Sequence, residues 1–223
     1  MTARRAFIAF AASLASMVAG AAEPAGAADP LSNWRAGTNY RLLATPQPPT
    51  VASGKVEVLE AFWYGCSHCF ELDPVLEDWK SRKPANVEFV RLPVVWGPMH
   101  RQHAKLFYTI QALNKPELHA KIFDAIHREH NMLSAQDEAK GRALQLEFLA
   151  KHGVTAESFN AAYDSMTVQV NVQRAQMLTS RLEVSSVPLL YVNGKYVTSV
   201  SEAGGNAELL QLINDLARSE KPR

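Results

Sequence analysis

The chain has very little cysteine, with only Cys66 and Cys69 among its 223 residues. A small secreted scaffold held together by several disulfides is therefore excluded, because such a scaffold needs many cysteines. An excess of charge of one sign is also lacking, since 23 basic and 22 acidic side chains nearly balance. This balance indicates no nucleic acid or other polyanionic partner. Beyond the N-terminal segment, no apolar run reaches the roughly 20 residues that a membrane-spanning helix needs.

The N-terminus has the pattern of an export signal. Arg4 and Arg5 precede an apolar, alanine-rich run over residues 6–18, and small residues follow it. The run is too short to span a bilayer, so the pattern favours a cleaved signal over a membrane anchor. We predict a signal peptide over residues 1–22, with residue 28 as the latest cleavage site. Its removal changes the formal charge from +1 to −1. The mature protein is expected to be soluble in an oxidising compartment, the periplasm of a Gram-negative host.

The two cysteines form a Cys-x-x-Cys motif directly after an apolar, strand-like run over residues 55–63. A disulfide across so small a loop removes little entropy from the unfolded chain, which favours a redox role over a structural one. Cys66 is predicted just before a helix, where unpaired backbone N–H groups and the helix dipole favour a thiolate. Ser67 and His68 lie in the same turn, and we assign both to stabilising that thiolate. Cys69 is predicted to be less exposed and to act as the resolving thiol.

The hydrophobic pattern predicts an α/β chain in which a long helical block interrupts the strands. Asn193-Gly194 predicts a tight turn between two strands, and Ser134 and Thr155 are predicted N-caps. The order of elements is that of a thioredoxin-like fold with an inserted all-helical domain. The predicted strands cover residues 40–44, 55–63, 87–92, 187–192 and 195–198, and the predicted helices cover residues 67–81, 100–114, 116–130, 135–152, 156–163, 168–182 and 206–218.

Three segments resemble the DsbA family of thiol:disulfide oxidoreductases. They are Leu-Glu-Ala-Phe-Trp-Tyr-Gly-Cys-Ser-His-Cys at 59–69, Ser-Val-Pro-Leu-Leu-Tyr-Val-Asn-Gly-Lys-Tyr at 186–196, and Tyr-Arg-Leu-Leu at 40–43. Together with the length of the helical block, the likeness covers nearly the whole mature chain. We place the thioredoxin-like domain at residues 38–97 and 171–223, and the helical insertion domain at residues 98–170.

The resemblance implies roles for residues outside the cysteine motif. The Val187–Pro188 bond is implied to be cis, with the Val187 backbone free to pair with an extended substrate segment. Glu60 is implied to assist proton movement near the inner cysteine, where well-known family members pair this acid with a buried lysine. Here Val90 is expected in the place of that lysine, and Arg91 is expected to point to the opposite face. The alternative for Glu60 is a strand-edge carboxylate that faces water.

The activity implied by the resemblance is donation of the Cys66–Cys69 disulfide to reduced, cysteine-containing exported proteins through a mixed disulfide on Cys66. A quinone-coupled membrane oxidase of the DsbB type is the implied partner for reoxidation. We expect no cofactor other than the redox-active cysteine pair, no nucleic acid partner and a monomer.

The residues alone leave other functions open. A periplasmic reductase or isomerase would use the same motif with a more reducing pair, although little chain precedes the first main strand for the dimerisation segment of an isomerase. A non-enzymatic carrier of metal or peptides is a different class. His127 with His130, and His100 with His103, have the spacing of metal ligands on a helix. We expect no physiological metal, because a metal on the cysteine pair would block thiol exchange.

Overall fold

The structure, a computed structural model, describes residues 29–220. The predicted signal peptide lies outside the described residues. In chain order the elements are β1 (Arg41–Leu42), β2 (Val56–Phe62), α1 (Ser67–Arg82), β3 (Val87–Pro93), α2 (Pro98–Ala112), α3 (Leu118–His127), α4 (Glu138–Lys151), α5 (Ala156–Tyr163), α6 (Met166–Arg181), β4 (Leu189–Val192), β5 (Tyr196–Thr198), α7 (Val200–Ala203) and α8 (Asn206–Ser219). None of the helices within residues 29–220 combines the length and the apolar character that crossing a bilayer requires.

The strands form one mixed sheet in the order β1-β5-β4-β2-β3. β2 pairs in parallel with β3 on one side and antiparallel with β4 on the other. Every residue of β2 is buried, as expected for a continuously apolar strand in the interior of a sheet. The prediction of an α/β fold is confirmed, and the connection from β2 through α1 to β3 carries the cysteine motif at its first turn.

Helix α1 is held by the sheet and by the C-terminal helix. Its buried residues Leu72, Leu76 and Trp79 belong to one hydrophobic cluster with Leu209 and Ile213 of α8. Burying such apolar side chains is the main stabilising contribution of a helix that is too short to be stable alone. The helix continues through Pro74 as one element. Its N-terminus, where the motif lies, is thereby fixed relative to the sheet.

The helical block packs directly against the cysteine motif. Phe62, Tyr64 and Cys69 share a hydrophobic cluster with residues of α2 and α3, among them Leu106 and Phe123. Helix α6 runs without interruption across the boundary that we drew between residues 170 and 171. The insertion is therefore part of the surroundings of the motif, and the domain limits stay a prediction.

The N-caps of the helices were only partly predictable from the local sequence. Thr155 is the N-cap of α5, as predicted, and its side chain accepts a hydrogen bond from the backbone N–H of Ser158. Ser134 is not the N-cap of α4, because Asp137 occupies that position and accepts from the N–H of Lys140. The short helix α7 was not predicted. Both differences concern polar segments in which several residues have a suitable capping side chain.

Candidate active site

The two cysteines lie at the junction between β2 and α1. Cys66 is the N-cap of α1, and its backbone is extended, with φ −93° and ψ 118°. Its Sγ accepts a hydrogen bond from the backbone N–H of Cys69 at 3.4 Å. Both residues are free thiols, and Cys66 is partly exposed whereas Cys69 is buried. Cys69 is thus less exposed, as predicted, and Cys66 carries the sulfur that another molecule can reach.

The surroundings drive the pKa values of the two thiols apart. The hydrogen bond from the Cys69 thiol is the largest cause that lowers the pKa of Cys66, from 9.0 to about 6. Burial opposes this shift, while the backbone N–H groups of Cys69 and His68 and the charge of His68 add to it. Burial raises the pKa of Cys69 far above its usual range, and the Cys66 sulfur adds to that effect. At neutral pH, Cys66 is therefore mainly a thiolate and Cys69 a thiol.

His68 and Ser67 occupy the first turn of α1 and are both exposed. The His68 side chain is 78% exposed, and its Nδ1 lies 3.5 Å from Oε2 of Glu71. Within residues 29–220, no hydrogen bond joins the imidazole or the Ser67 hydroxyl to Cys66. The imidazole does not reach the sulfur because the ring turns outward. His68 acts on the Cys66 pKa through its backbone N–H and, when protonated, through its charge.

The segment before β4 lies beside the cysteines. The Val187–Pro188 peptide bond is cis, as the resemblance implied. The Cys66 sulfur lies 3.5 Å from the carbonyl oxygen of Val187, a distance at which the protonated thiol can donate a hydrogen bond. Val187 also lines a groove of about 590 Å³, which we call the Pro188 groove. It is lined by Arg41, His68, Glu71, Leu72, Ser186, Val187, Pro188, Leu189, Ser199, Val200, Ser201, Glu202 and Asn206.

Glu60 is buried in β2 and only 1% exposed, so the alternative of a water-facing carboxylate is wrong. The parallel register pairs Glu60 with Arg91 and Leu59 with Val90. Residues paired in this way lie on the same face of the sheet, and Arg91 Nε donates a hydrogen bond to Glu60 Oε2 at 3.0 Å. The prediction that Arg91 points to the opposite face, with Val90 opposite Glu60, is therefore wrong. An arginine supplies the cation that faces this acid.

Arg91 holds three carboxylates together. Besides Glu60, its guanidinium donates to Asp73 Oδ1 and to Glu77 Oε1, each at 2.6 Å. Burial raises the pKa of Glu60 to about 7, although Arg91 opposes the shift, and the charges of Asp73 and Glu77 raise it further. For Asp73, burial is outweighed by His119 and Arg91, and its pKa lies below the usual range. We call Glu60, Asp73, Glu77 and Arg91 the buried charge cluster.

His119 of α3 extends the buried charge cluster toward the motif. Its Nε2 lies 3.1 Å from Asp73 Oδ1, and its Nδ1 lies 2.7 Å from the hydroxyl oxygen of Tyr64. Burial lowers the pKa of His119. A cavity of about 660 Å³, which we call the α3 cavity, is lined by Asp73, Arg91 and His119 among others. Sequence reasoning missed Asp73 and His119 and placed Arg91 on the wrong face, and the one local signal was an acid placed among the apolar residues of α1.

Three other histidines of the helical block, His100, His103 and His127, also contact the residues before Cys66. His127 Nε2 lies at hydrogen-bond distance, 2.8 Å, from the backbone carbonyl oxygen of Tyr64. The ring of His100 lies 4.5 Å from that of Trp63, and His103 Nε2 lies 2.7 Å from a backbone carbonyl oxygen of the helical block. Across residues 29–220, no group of three or more histidine, cysteine, aspartate or glutamate side chains has a geometry that could hold a metal ion. These histidines therefore support the motif from the side of the insertion.

A thiolate-forming cysteine next to a buried thiol, on the crossover helix of a mixed sheet, defines a protein of the thioredoxin-like class that is suited to thiol:disulfide exchange.

Comparison with known proteins gives the family. The chain is 36% identical to the thiol:disulfide interchange protein DsbA of Pseudomonas aeruginosa over 197 residues, which cover 88% of this chain and 90% of that protein. It is 37% identical to the DsbA of Azotobacter vinelandii over 174 residues, 78% of each chain. The crystal structure of Pseudomonas aeruginosa DsbA matches with a TM-score of 0.76 and 35% identity, covering 83% of this chain and 94% of that chain. No family model matches the sequence. The chain belongs to the DsbA family, and its fold is thioredoxin-like, as predicted.

Proposed function

We propose that this protein donates its Cys66–Cys69 disulfide to reduced, exported proteins. First, a substrate thiolate attacks Cys66 Sγ, the bond between Cys66 and Cys69 breaks, and Cys69 leaves as a thiolate that takes up a proton. Second, another thiolate of the substrate attacks the substrate sulfur of the mixed disulfide, and Cys66 leaves as a thiolate. The substrate loses two electrons, and the cysteine pair gains them. The protein is then an oxidoreductase that acts on protein thiols.

The low pKa of Cys66 is the observation that carries the proposal. A thiolate that is stabilised at neutral pH lowers the free energy of the reduced protein, so the oxidised pair gives up its disulfide readily. The same low pKa makes Cys66 a good leaving group in the second step. The buried Cys69 has the opposite property, since its thiolate is strongly disfavoured. It is expected to be the resolving thiol, which is protonated as soon as the disulfide opens.

The Pro188 groove is the proposed binding site for the substrate. The Val187 carbonyl lies beside Cys66 Sγ, so an extended substrate segment in the groove can pair with this backbone while its cysteine reaches the sulfur. The groove also contains Arg41 and Glu202, which form an ion pair at 2.7 Å. Main-chain pairing is largely independent of side-chain sequence, and this suits an enzyme that acts on many proteins.

Glu60 is the proposed group for proton transfer with Cys69. Its pKa of about 7 means that both the protonated and the ionised form are populated at neutral pH. The charge of Glu60 is also among the causes that raise the pKa of Cys69, so the two groups are electrostatically coupled. Glu60 can thus supply the proton when Cys69 leaves the disulfide and accept it when the pair is oxidised again.

The cellular location and the reoxidising partner of the protein are also part of the proposed function. The predicted export signal and the oxidising chemistry support a periplasmic location. A membrane oxidase of the DsbB type, coupled to quinone, would accept the two electrons and restore the disulfide. We propose that the protein acts as a monomer without a cofactor other than the cysteine pair, and without a nucleic acid partner.

The decisive experiment is the redox equilibrium of the cysteine pair in glutathione buffers. We expect a reduction potential well above that of glutathione, in the region of roughly −120 mV, the familiar value for DsbA itself. A potential near that of thioredoxin, roughly −270 mV, would contradict the proposal and indicate a reductase. Metal content measured on the same sample tests the carrier alternative.

The matched control is oxidation of a reduced, unfolded protein that contains several cysteines. The wild-type protein in its oxidised form should form disulfides in that substrate in stoichiometric amounts. The variant Cys69→Ser should leave the same substrate reduced, because without the Cys69 thiol it has no disulfide to donate. Binding of substrate that survives loss of both cysteines, without any oxidation by the wild type, would favour a peptide carrier instead.

A further inference from the structure

Two buried carboxylates share Arg91, but their other surroundings differ. The Glu60 side chain is 2% exposed and that of Asp73 is 6% exposed. Among the described residues, Arg91 is the only hydrogen-bond partner of the Glu60 carboxylate. Asp73 has an additional electrostatic contact with His119, whose Nε2 lies 3.1 Å from Oδ1. A single cation does not neutralise two buried carboxylates, so one of the two acids is expected to keep a proton. The additional contact of Asp73 determines which acid that is.

Tyr64 fixes the tautomer of His119. Burial raises the pKa of Tyr64 well above 10.0, so its hydroxyl stays protonated. The hydroxyl oxygen lies 2.7 Å from His119 Nδ1, its only hydrogen-bond partner among the described residues, and we take the hydroxyl to be the donor. A neutral imidazole that accepts at Nδ1 carries its proton on Nε2, which faces Asp73. The Nε2–H bond is not well aligned with Oδ1, so the contact is mainly electrostatic. The imidazole therefore presents its positive edge to Asp73 and not to Glu60.

We propose that His119 is a positioning residue that keeps the negative charge on Asp73 and thereby leaves Glu60 as the carboxyl group that exchanges the proton beside Cys69. The inference rests on the proposed function, because it assigns the ionisation of the acid that serves Cys69. His119 acts through Asp73 and Arg91 and does not touch the thiols. It links the helical insertion to the proton chemistry of the motif.

The other charged groups around the cluster do not distinguish the two acids in this way. Arg91 contacts both of them. Glu77 lies at the rim with a half-exposed side chain, bonded to Arg91 and to Lys80, whose ammonium is 3.2 Å away. Glu117 lines the same cavity but forms no ion pair within residues 29–220. His119 is the group that makes a direct, buried contact with Asp73 and none with Glu60.

The test is a carboxyl ¹³C NMR titration of the full mature protein, with Glu60 and Asp73 assigned by substitution. In His119→Leu, Asp73 should titrate at higher pH, and Glu60, relieved of a neighbouring charge, at lower pH. A bond to a charged group corresponds to a shift of about one pH unit or more. In His119→Gln, whose amide can donate to Asp73, both midpoints should return toward those of the wild type. Unchanged midpoints in a folded His119→Leu protein would overturn the proposal.

A second measurement uses the wild type and does not depend on how a variant folds. The ¹⁵N chemical shifts of the His119 ring should show a neutral imidazole with its proton on Nε2 over the whole range in which Glu60 titrates. A proton on Nδ1, or an imidazolium in that range, would overturn the proposal. The redox potential of the same sample reports separately on the proposed function. A reducing potential with the expected His119 tautomer would reject the oxidase and retain the positioning role.

Discussion

Helix α1 has an exposed face and a buried face, and the two thiols at its start differ in exposure in the same way. His68, Glu71 and Leu72 of this helix line the Pro188 groove, whereas Asp73 and Glu77 line the α3 cavity. With a rotation of about 100° per residue, these sets lie on opposite sides of the helix. The groove face is exposed and borders the thiol of low pKa. The cavity face is buried and holds the charged groups that surround Glu60.

This difference separates two kinds of chemistry. In the proposed function, sulfur exchange takes place on the groove face, where a substrate would approach Cys66 and the Val187 backbone. Proton exchange is proposed on the cavity face, where burial and Arg91 set the ionisation of Glu60. Variants on the two faces should therefore change different properties of the protein.

The largest effect is expected from Cys66→Ser on the groove face. This variant has no sulfur for the substrate to attack, so disulfide donation to a reduced protein should be abolished. Glu60→Gln on the cavity face should slow the reaction without abolishing it, since general acid–base assistance typically contributes about 10²–10⁴-fold. The rate of thiol loss in the substrate measures both. Oxidation of the substrate by Cys66→Ser would contradict the assignment of the two faces.

The largest loss of stability is expected from Arg91→Leu. Removal of the guanidinium leaves Glu60 and Asp73 buried without their shared cation, and breaking a buried ion pair in this way costs about 3–5 kcal/mol. Urea unfolding at neutral pH measures the free energy of unfolding. Arg91→Lys, the matched control, keeps a charge but loses the forked geometry, so its loss should be smaller. If Arg91→Leu lowered the free energy of unfolding by less than about 0.5 kcal/mol, as surface substitutions typically do, the cluster would contribute little to stability.

A pH dependence of intermediate size is expected on the groove face. The pKa of Cys66 is about 6 in the folded protein and 9.0 when unperturbed. Because the folded value is the lower one, the thiolate stabilises the reduced protein above the unfolded pKa, and this stability is lost as the pH falls through about 6. The stability of the reduced relative to the oxidised protein should therefore decrease from about pH 9 to about pH 6 and level off below. Urea unfolding of both forms measures this difference in stability, and the absorbance of the thiolate follows the ionisation of Cys66. An increase toward low pH would contradict the depressed pKa.

The smallest effect is expected from His68→Leu. The imidazole is exposed and its charge is the weakest of the causes that lower the pKa of Cys66, so the substitution should raise that pKa by less than about one unit. The effect should also shrink in high salt, since exposed charges are screened. Glu71→Gln serves as the control for the neighbouring carboxylate. A rise of several units would mean that the ring reaches the sulfur directly in solution.

The groove face was largely predictable from the sequence because its signals are local. The spacing of Cys66 and Cys69 and their place at the start of a helix suffice to predict the difference in exposure. The Val187–Pro188 segment was recognised from its similarity to the family. The imidazole of His68 was placed in the right turn, but the spacing does not determine that its ring points outward, away from the sulfur.

The cavity face depends on relations between distant segments, which the sequence pattern does not contain. Whether Arg91 or Val90 faces Glu60 is decided by the register of β2 with β3, and a shift of one residue reverses the answer. His119 lies in an apolar helical run far from Asp73 in sequence, and nothing in that run marks it. Among the histidines that were singled out as candidate metal ligands, His127, His100 and His103 instead contact backbone or aromatic rings.

Because the Pro188 groove and the α3 cavity open on opposite sides of α1, a protein that covers the groove leaves the cavity in contact with bulk water. Arg91, which lines this cavity, is bonded to Glu60, so the proposed proton transfer from Glu60 to Cys69 is expected to need no water path through the enzyme–substrate interface. A small thiol and a bulky, partly folded chain should consequently show the same pH profile for opening the disulfide, even though their rates differ. The size of the client is limited by access to Cys66 alone.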